Sequence, residues 1–402
     1  MTYTAKLHPE KVALSSISNI DNLCDALDIS VAELTAAMKL SPEQRYTSGV
    51  VPKKDGSDRI INNPHHLIRK IQRRINKRIF SDQDVISWPD HVFGSIPNDD
   101  LSISPASDKD YVNCARQHCC AKSVLSVDIK DFFDNIHYEA VVSIFESFLK
   151  YPADVADALA NVCCKGEHVV QGALTSSYIA TLCLHAVEGD LVKRLRHKGL
   201  VYTRLVDDIT ISSKLANYDF GFSLKQVEKM LHGADLPLND GKTRIQHASM
   251  QPLIVHGLRV DFSQPRLPPS EPRNIRAAVK NLELMANSPG YRASRAYRRD
   301  FNRCMGRVNK LGRVKHNQHS ELLARVRRVL PLPSHKDIER AERQVDRLEV
   351  DFLKPNYRST YWFYKRYYVA MERLGILKRS FPKKAAELRA RLIVMRPSGK
   401  YE

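Results

Sequence analysis

The spacing of apolar residues along the chain changes from period two to a helical period and back several times. From Leu200 to Ser213 the sequence LVYTRLVDDITISS alternates on both sides of Asp207-Asp208, which predicts two short strands meeting in a tight turn at the acidic pair. Ser123 to Ile129 alternates in the same way, with Leu125, Val127 and Ile129 on one face and Asp128 on the other. Upstream, VVPKKDGSDRII reads as a hairpin turning at Asp55-Gly56, with Lys53 and Arg59 on opposite arms, and leads through Asn63-Pro64 into a basic helix. Downstream, LIVHGLRVDF predicts a hairpin turning near His256-Gly257.

Helical spacing fills the intervals. Residues 20–40 form two pieces, the second opened by Ser30 and Glu33 spaced as a capping box. Between the Asp128 strand and the acidic hairpin the chain reads as mostly helical, broken at Gln171 to Ser177, QGALTSS. There Gly172 permits close backbone approach, and Thr175 or Ser176 is placed to cap a long amphipathic helix running to about Lys198. A helix near Phe222–Gly233 follows, and then LPLNDGKTRIQ, whose turn at Asn239-Asp240-Gly241 presents Lys242 at the start of a strand.

Composition narrows the class. With 402 residues and 43% hydrophobic content the chain has material for two or three packed domains. It has neither a leader-like start nor an apolar run long enough for a bilayer, so a cytoplasmic protein without membrane partners is expected. The eight cysteines lack framework spacing. Cys114, His118, Cys119 and Cys120 cluster without a second spaced pair, which fits reduced thiols better than a zinc site. The net charge of +18 is concentrated: residues 271–402 hold 32 Lys and Arg against 13 Asp and Glu. A basic region joined to a nearly neutral one points to a polyanion, with nucleic acid the expected partner and a solubility role the alternative.

The adjacent carboxylates of Asp207 and Asp208 repel each other and fit either a divalent metal held by hard oxygens or a solvated turn. Asp128, ending an otherwise apolar strand, is a natural third member, and three such carboxylates on neighbouring strands would make a two-metal site for phosphoryl transfer.

Strand, helices, hairpin, helix, strand is the order of a split βαβ unit with helices on one face of an antiparallel sheet, the order of a polymerase palm. On these residues the chain resembles bacterial reverse transcriptases of the retron and defence-associated (anti-phage) type. KKDGSDRIINNP resembles the fingers motif, VDIKDFFDNI the first carboxylate motif, QGALTSS the template- and nucleotide-positioning turn, and LVDD the aromatic-x-Asp-Asp hairpin. LNDGKTRI resembles the lysine-bearing motif and VHGLRVD the primer-grip hairpin.

The resemblance implies an α+β right-hand polymerase fold: N-terminal helices and fingers over 1–122, palm over 123–267 with finger-like helices inserted at 138–170, helical thumb over 268–330, and a basic helical extension over 331–402. It implies that Asp128, Asp207 and Asp208 hold two Mg2+ ions, with Mn2+ as an alternative. Lys53 and Arg59 would grip the triphosphate, Gln171 and Gly172 would line the nucleotide pocket, and Phe133 would exclude a ribose 2′-hydroxyl. Lys242 would stand near the leaving pyrophosphate as a proton donor. The expected partners are an RNA template, a structured noncoding RNA by analogy, with dNTPs, the DNA product and a defence effector protein; the oligomeric state is left open.

The sequence departs from the family pattern at four positions. Leu205 stands where an aromatic is usual, Leu174 and Ser177 where prolines are common, and His256 where retron enzymes have Thr. An untemplated or unusually templated DNA polymerase therefore stays open, as does a catalytically vestigial RNA-binding scaffold. Beyond the palm, Arg292, Arg295, Arg298 and Arg299 read as exposed and phosphate-facing. YRSTYWFYKRYY, Tyr357 to Tyr368, reads either as a base-stacking stretch or as an amphipathic helix burying its rings.

Overall fold

The acidic hairpin is central to a five-stranded sheet in the computed structural model of the chain, which describes residues 6–52, 56, 58–98 and 108–398. Two units divide the chain, Met1–Arg266 and Leu267–Glu402. The first opens with helices α1 (Ile20–Leu27) and α2 (Val31–Met38), the latter carrying both hydrogen bonds of the Ser30–Glu33 capping box. A hairpin of β1 (Tyr46–Pro52) and β2 (Asp58–Pro64) leads into α3 (His66–Ile75). Then come β3 (Val92–Phe93), α4 (Tyr111–Gln117), β4 (Ser123–Asp128), α5 (Tyr138–Ser143), α6 (Ala153–Cys163), α7 (Ser176–Leu182) and α8 (Glu188–His197). The acidic hairpin itself is β5 (Val201–Leu205) and β6 (Asp208–Ser213). After it follow α9 (Gly221–His232), β7 (Arg244–His247) and a small hairpin of β8 (Ile254–Val255) and β9 (Leu258–Arg259).

The strands order as β3-β5-β6-β4-β7, with β3 parallel to β5 and the remaining pairs antiparallel. Leu125, Val127, Ile209 and Ile211 are buried in one core with Phe145, Leu159 and Ile179 from the helical segments. The two-residue strand β3 is too short to carry a period, so alternation could not reveal it. Strand β4 is buried on both faces except at Ser126, because it lies between two neighbours and under cover on either side.

Two local expectations are corrected. The turn of the acidic hairpin falls one residue early, at Val206-Asp207, because Asp208 is kept inside the ladder by pairing with both Asp128 and Leu205. The residue with left-handed backbone is therefore Val206, at φ 59°, a costly conformation for a β-branched side chain. The long helix to Lys198 is broken between Leu182 and Glu188. Glu188 at the break is buried beside Arg204 of β5, and a continuous helix would have to forgo that pairing.

The second unit contains α10 (Ser270–Ala286), α11 (Arg295–Arg313), α12 (His319–Arg328), α13 (His335–Leu353), α14 (Tyr361–Leu377) and α15 (Pro382–Val394). Helices α13 to α15 share a core that includes Val345, Leu348, Phe363, Tyr367, Leu374 and Leu388. The aromatic stretch is thereby divided: Phe363 and Tyr367 pack inward, while Trp362 and Tyr368 remain about half exposed. Arg366 pairs with the buried Asp351. Of the four arginines expected to face phosphate, Arg295 and Arg299 are exposed. Arg292 instead donates to the Leu330 carbonyl and Arg298 to Asp337. Among the described residues no helix is long and apolar enough to cross a membrane.

Candidate active site

The antiparallel register of β4 and β6 sets Asp128 directly opposite Asp208. Asp207 stands one residue away in the turn, where its carbonyl accepts the Ile129 N–H at 3.1 Å. Three carboxylates thus belong to one end of two adjacent central strands. Their proximity has an electrostatic signature. Partial burial, Asp207 and Asp128 push the Asp208 carboxyl up to about 6. Asp207 is raised by burial and by Asp128, against the opposing pull of Lys242 and Arg59.

Lys242 enters this group as a cation. Its Nζ donates to Asp128 Oδ2 at 3.0 Å, and that hydrogen bond raises the ammonium pKa. Asn239, read from the sequence only as a turn residue, holds Asp128 twice: its side-chain Nδ2 donates to Oδ2 at 2.9 Å and its backbone N–H to the Asp128 carbonyl at 2.9 Å. Among the described residues no three acidic, His or Cys groups are drawn together as a closed ligand set. The donors nevertheless fit a divalent ion: they are hard oxygens, burial and neighbouring carboxylates already disfavour charge at Asp207 and Asp208, and a lysine already pairs with the third.

The structure also describes most of the other expected site residues. Phe133 sits in a short 3-10 turn, Phe132–Asn135, just beyond β4; Phe132 is 3% exposed in the core, and Phe133 is partly buried beside it. Arg59 lies exposed on β2, opposite Val51. Lys53 lies outside the described residues. Gln171 and Gly172 are fastened to the β2 arm, since Asn62 N–H donates to the Gln171 carbonyl at 2.8 Å. Gly172 has φ 109°, and a Cβ there would meet the Asn62 carbonyl oxygen at 2.5 Å, which is the close approach that its sequence context predicts. Neither Thr175 nor Ser176 caps α7 through its side chain; Ser176 Oγ donates to the Val170 carbonyl instead.

Behind the carboxylates lies a polar layer that the motifs did not disclose. His256, with φ 47° in its turn, brings Nδ1 to 3.8 Å from Asp208 and Nε2 to 3.2 Å from Cys114 Sγ. His118, buried and depressed to about 3 by desolvation, has Nδ1 at 2.7 Å from Ser212 Oγ and Nε2 at 2.7 Å from Thr203 Oγ1. With both ring nitrogens engaged by hydroxyls, His118 is structural here, which disfavours the zinc alternative. Arg204 and Glu188 form a buried pair under the acidic turn. An arginine in the middle of an apolar strand was the only sequence signal for it.

This sheet, with an acidic hairpin tip facing a third strand-end carboxylate and an invading lysine, is that of a template-copying polymerase. The family model for reverse transcriptase (RNA-dependent DNA polymerase) matches residues 51–297, and the chain belongs to that family of RNA-directed DNA polymerases.

Within it the chain is of the retron type. Retron Ec48 reverse transcriptase of Escherichia coli is 45% identical over 98% of this chain and 96% of its own length. Retron Se72 reverse transcriptase of Salmonella heidelberg (strain 579083-10) is 31% identical over 79% of this chain and 80% of its own. The solved apo telomerase from Candida tropicalis aligns over 88% of this chain and 65% of that one, with 11% identity and a TM-score of 0.39. Reverse transcriptases as a family use divalent metals, and this chain shares their acidic hairpin.

Proposed function

We propose that the enzyme copies an associated noncoding RNA into DNA by two-metal nucleotidyl transfer, within a bacterial anti-phage system. The observation that carries the chemistry is the cross-strand pairing of Asp128 with Asp208, beside Asp207, in a group where burial and neighbouring carboxylates push two carboxyls up. Asp128, Asp207 and Asp208 hold the metals, Mg2+ or alternatively Mn2+. When bound, such ions lower the pKa of a primer hydroxyl and stabilise charge at the phosphorus.

The chain's own residues do the rest. Arg59 and Lys53 grip the incoming triphosphate from the β1–β2 hairpin. Gln171 and Gly172, fixed to β2, shape the nucleotide pocket, and the Phe133 ring fills the space a ribose 2′-hydroxyl would need. Lys242, whose Nζ donates to Asp128, would donate a proton to the departing pyrophosphate. The regions 1–122, 123–267 and 268–330 serve as fingers, palm and thumb, and 331–402 as a basic extension. In the second unit, Arg295 and Arg299, together with the exposed Trp362 and Tyr368, are suited to RNA phosphates and bases. The reading further assigns the enzyme to the cytoplasm, with an effector protein as its partner in defence.

The test is to purify the protein with its accompanying nucleic acid, supply Mg2+ and labelled dNTPs, and sequence both the RNA and the DNA product. DNA complementary to the bound RNA, absent from the Asp207→Asn, Asp208→Asn variant, is the expected result. DNA without a complement in that RNA would replace the templated reading with an untemplated polymerase, and bound RNA with no DNA would favour the scaffold.

A further inference from the structure

The acidic turn is strained and something must hold it. Val206 at φ 59° is a β-branched residue in the left-handed region. The hairpin tip bearing Asp207 is therefore not a conformation this sequence adopts for local reasons.

Arg204 supplies the restraint. Its side chain is completely buried, and each of its five N–H donors has an acceptor. Nε donates to Glu188 Oε1 at 2.6 Å and Nη2 to Glu188 Oε2 at 2.7 Å, a bidentate fork. The second Nη2 proton goes to the Thr181 carbonyl at 2.8 Å, and Nη1 donates to the Ala180 carbonyl at 3.3 Å and the Val206 carbonyl at 3.2 Å. Ala180 and Thr181 lie in the last turn of α7, whose carbonyls lack partners within the helix. Tyr202 OH donates to Glu188 Oε1 at 2.8 Å, locking the carboxylate from the other side.

We propose that Arg204 is the positioning residue of the acidic turn: its guanidinium ties the Val206 carbonyl to Glu188 and to the end of α7, and so fixes where Asp207 points. A buried Arg–Glu pair contributes little net stability over apolar residues of equal volume, so its main consequence is geometric. The same guanidinium links the turn to α7, the helix whose first residue, Ser176, follows the Gln171–Gly172 turn after Ala173, Leu174 and Thr175. Nucleotide pocket and carboxylates thus share one rigid connection. The inference rests on the proposed role of Asp207.

The experiment compares Arg204→Lys, Val206→Gly, the double variant and Asp207→Asn on an RNA template annealed to a DNA primer, recording kcat, dNTP KM and the thermal midpoint. Lysine keeps the charge opposite Glu188, but its three donors on one atom cannot reach both Glu188 and Val206. We expect kcat of Arg204→Lys to fall about tenfold with dNTP KM within about twofold, the mark of lost transition-state geometry. Glycine takes a positive φ without help, so adding Val206→Gly should restore most of kcat while leaving the thermal midpoint low. A kcat within about twofold of the parent in Arg204→Lys, or a loss that Val206→Gly does not restore, overturns the proposal. If Asp207→Asn keeps full activity, the site reading itself fails; if it is inactive while Arg204→Lys is unimpaired, only the positioning inference fails. Should Arg204→Lys not fold, Glu188→Gln loosens the same fork, and the same rescue by Val206→Gly is required of it.

Discussion

Replacing Gly172 with alanine probes the contact between the turn at Gln171–Gly172, proposed to line the nucleotide pocket, and the β1–β2 hairpin. Two costs add. The backbone sits at φ 109°, outside the regions open to an L side chain, at a cost of about 1–3 kcal/mol. The new Cβ would also lie 2.5 Å from the Asn62 oxygen and 3.0 Å from its nitrogen. Both are backbone atoms of a paired strand, so no rotamer change relieves the clash. The turn must withdraw, and the 2.8 Å bond from Asn62 N–H to the Gln171 carbonyl is lost, worth about 1 kcal/mol. The expected destabilisation is about 2–4 kcal/mol, read as a shift of the midpoint in urea unfolding, with a raised dNTP KM because Gln171 moves with the turn.

Gly166 is the internal control. It too has a positive φ, 67°, but a Cβ there meets nothing within 4 Å, so Gly166→Ala should cost only about 1–2 kcal/mol and leave dNTP KM alone. If the two variants unfold alike and share one KM, the close approach at Gly172 does not matter and the reasoning is refuted.

Other outcomes are equally open to measurement. Phe133→Ala should raise ribonucleotide incorporation relative to deoxynucleotide by about tenfold or more in competition assays; unchanged discrimination would remove Phe133 as the gate. His118 is held at about 3 against about 6.5 in the unfolded chain, so its contribution is present above 6.5 and declines as pH falls, when only the unfolded chain takes the proton. Between pH 7 and pH 5 this should remove about 2 kcal/mol of stability, a slope that His118→Asn flattens in pH-resolved unfolding. In the second unit, Asp351 is buried and holds Lys354 at 2.8 Å as well as Arg366. Asp351→Ala leaves Arg366 without its carboxylate and should destabilise by about 3 kcal/mol, whereas Asp346→Ala, at an exposed acid paired with Arg391, should cost less than about 1 kcal/mol.

The candidate site residues stand out in the sequence because they sit at strand ends and turns, where a local pattern exposes them. Asp128 ends an alternating run and Gly172 interrupts a helical stretch, as the structure has them, whereas Lys242, expected to open a strand, ends a short 3-10 turn, Asp240–Lys242, ahead of the strand at Arg244. The supporting layer was not legible, because it consists of contacts between segments far apart in the chain. Asn239 reads as a turn former until its side chain is seen on Asp128, and His256 as a hairpin residue until its ring is seen between Asp208 and Cys114.

The two local errors have one origin. The acidic turn was expected at Asp207-Asp208 because aspartate tolerates unusual backbone angles better than valine does. The helix was expected to continue through Glu188 because glutamate on an amphipathic helix is ordinarily solvated. Both expectations weigh each residue against its neighbours alone. In the fold Glu188 turns inward to meet Arg204, which breaks the helix and leaves the carbonyls of Ala180 and Thr181 to be satisfied, and the same guanidinium reaches the Val206 carbonyl. Two residues that violate their local preference, the buried Glu188 at a helix break and Val206 at positive φ, mark where that preference has been overridden by a tertiary contact. Here both violations converge on one side chain, Arg204, which hydrogen-bonds the carbonyl of the residue just before Asp207.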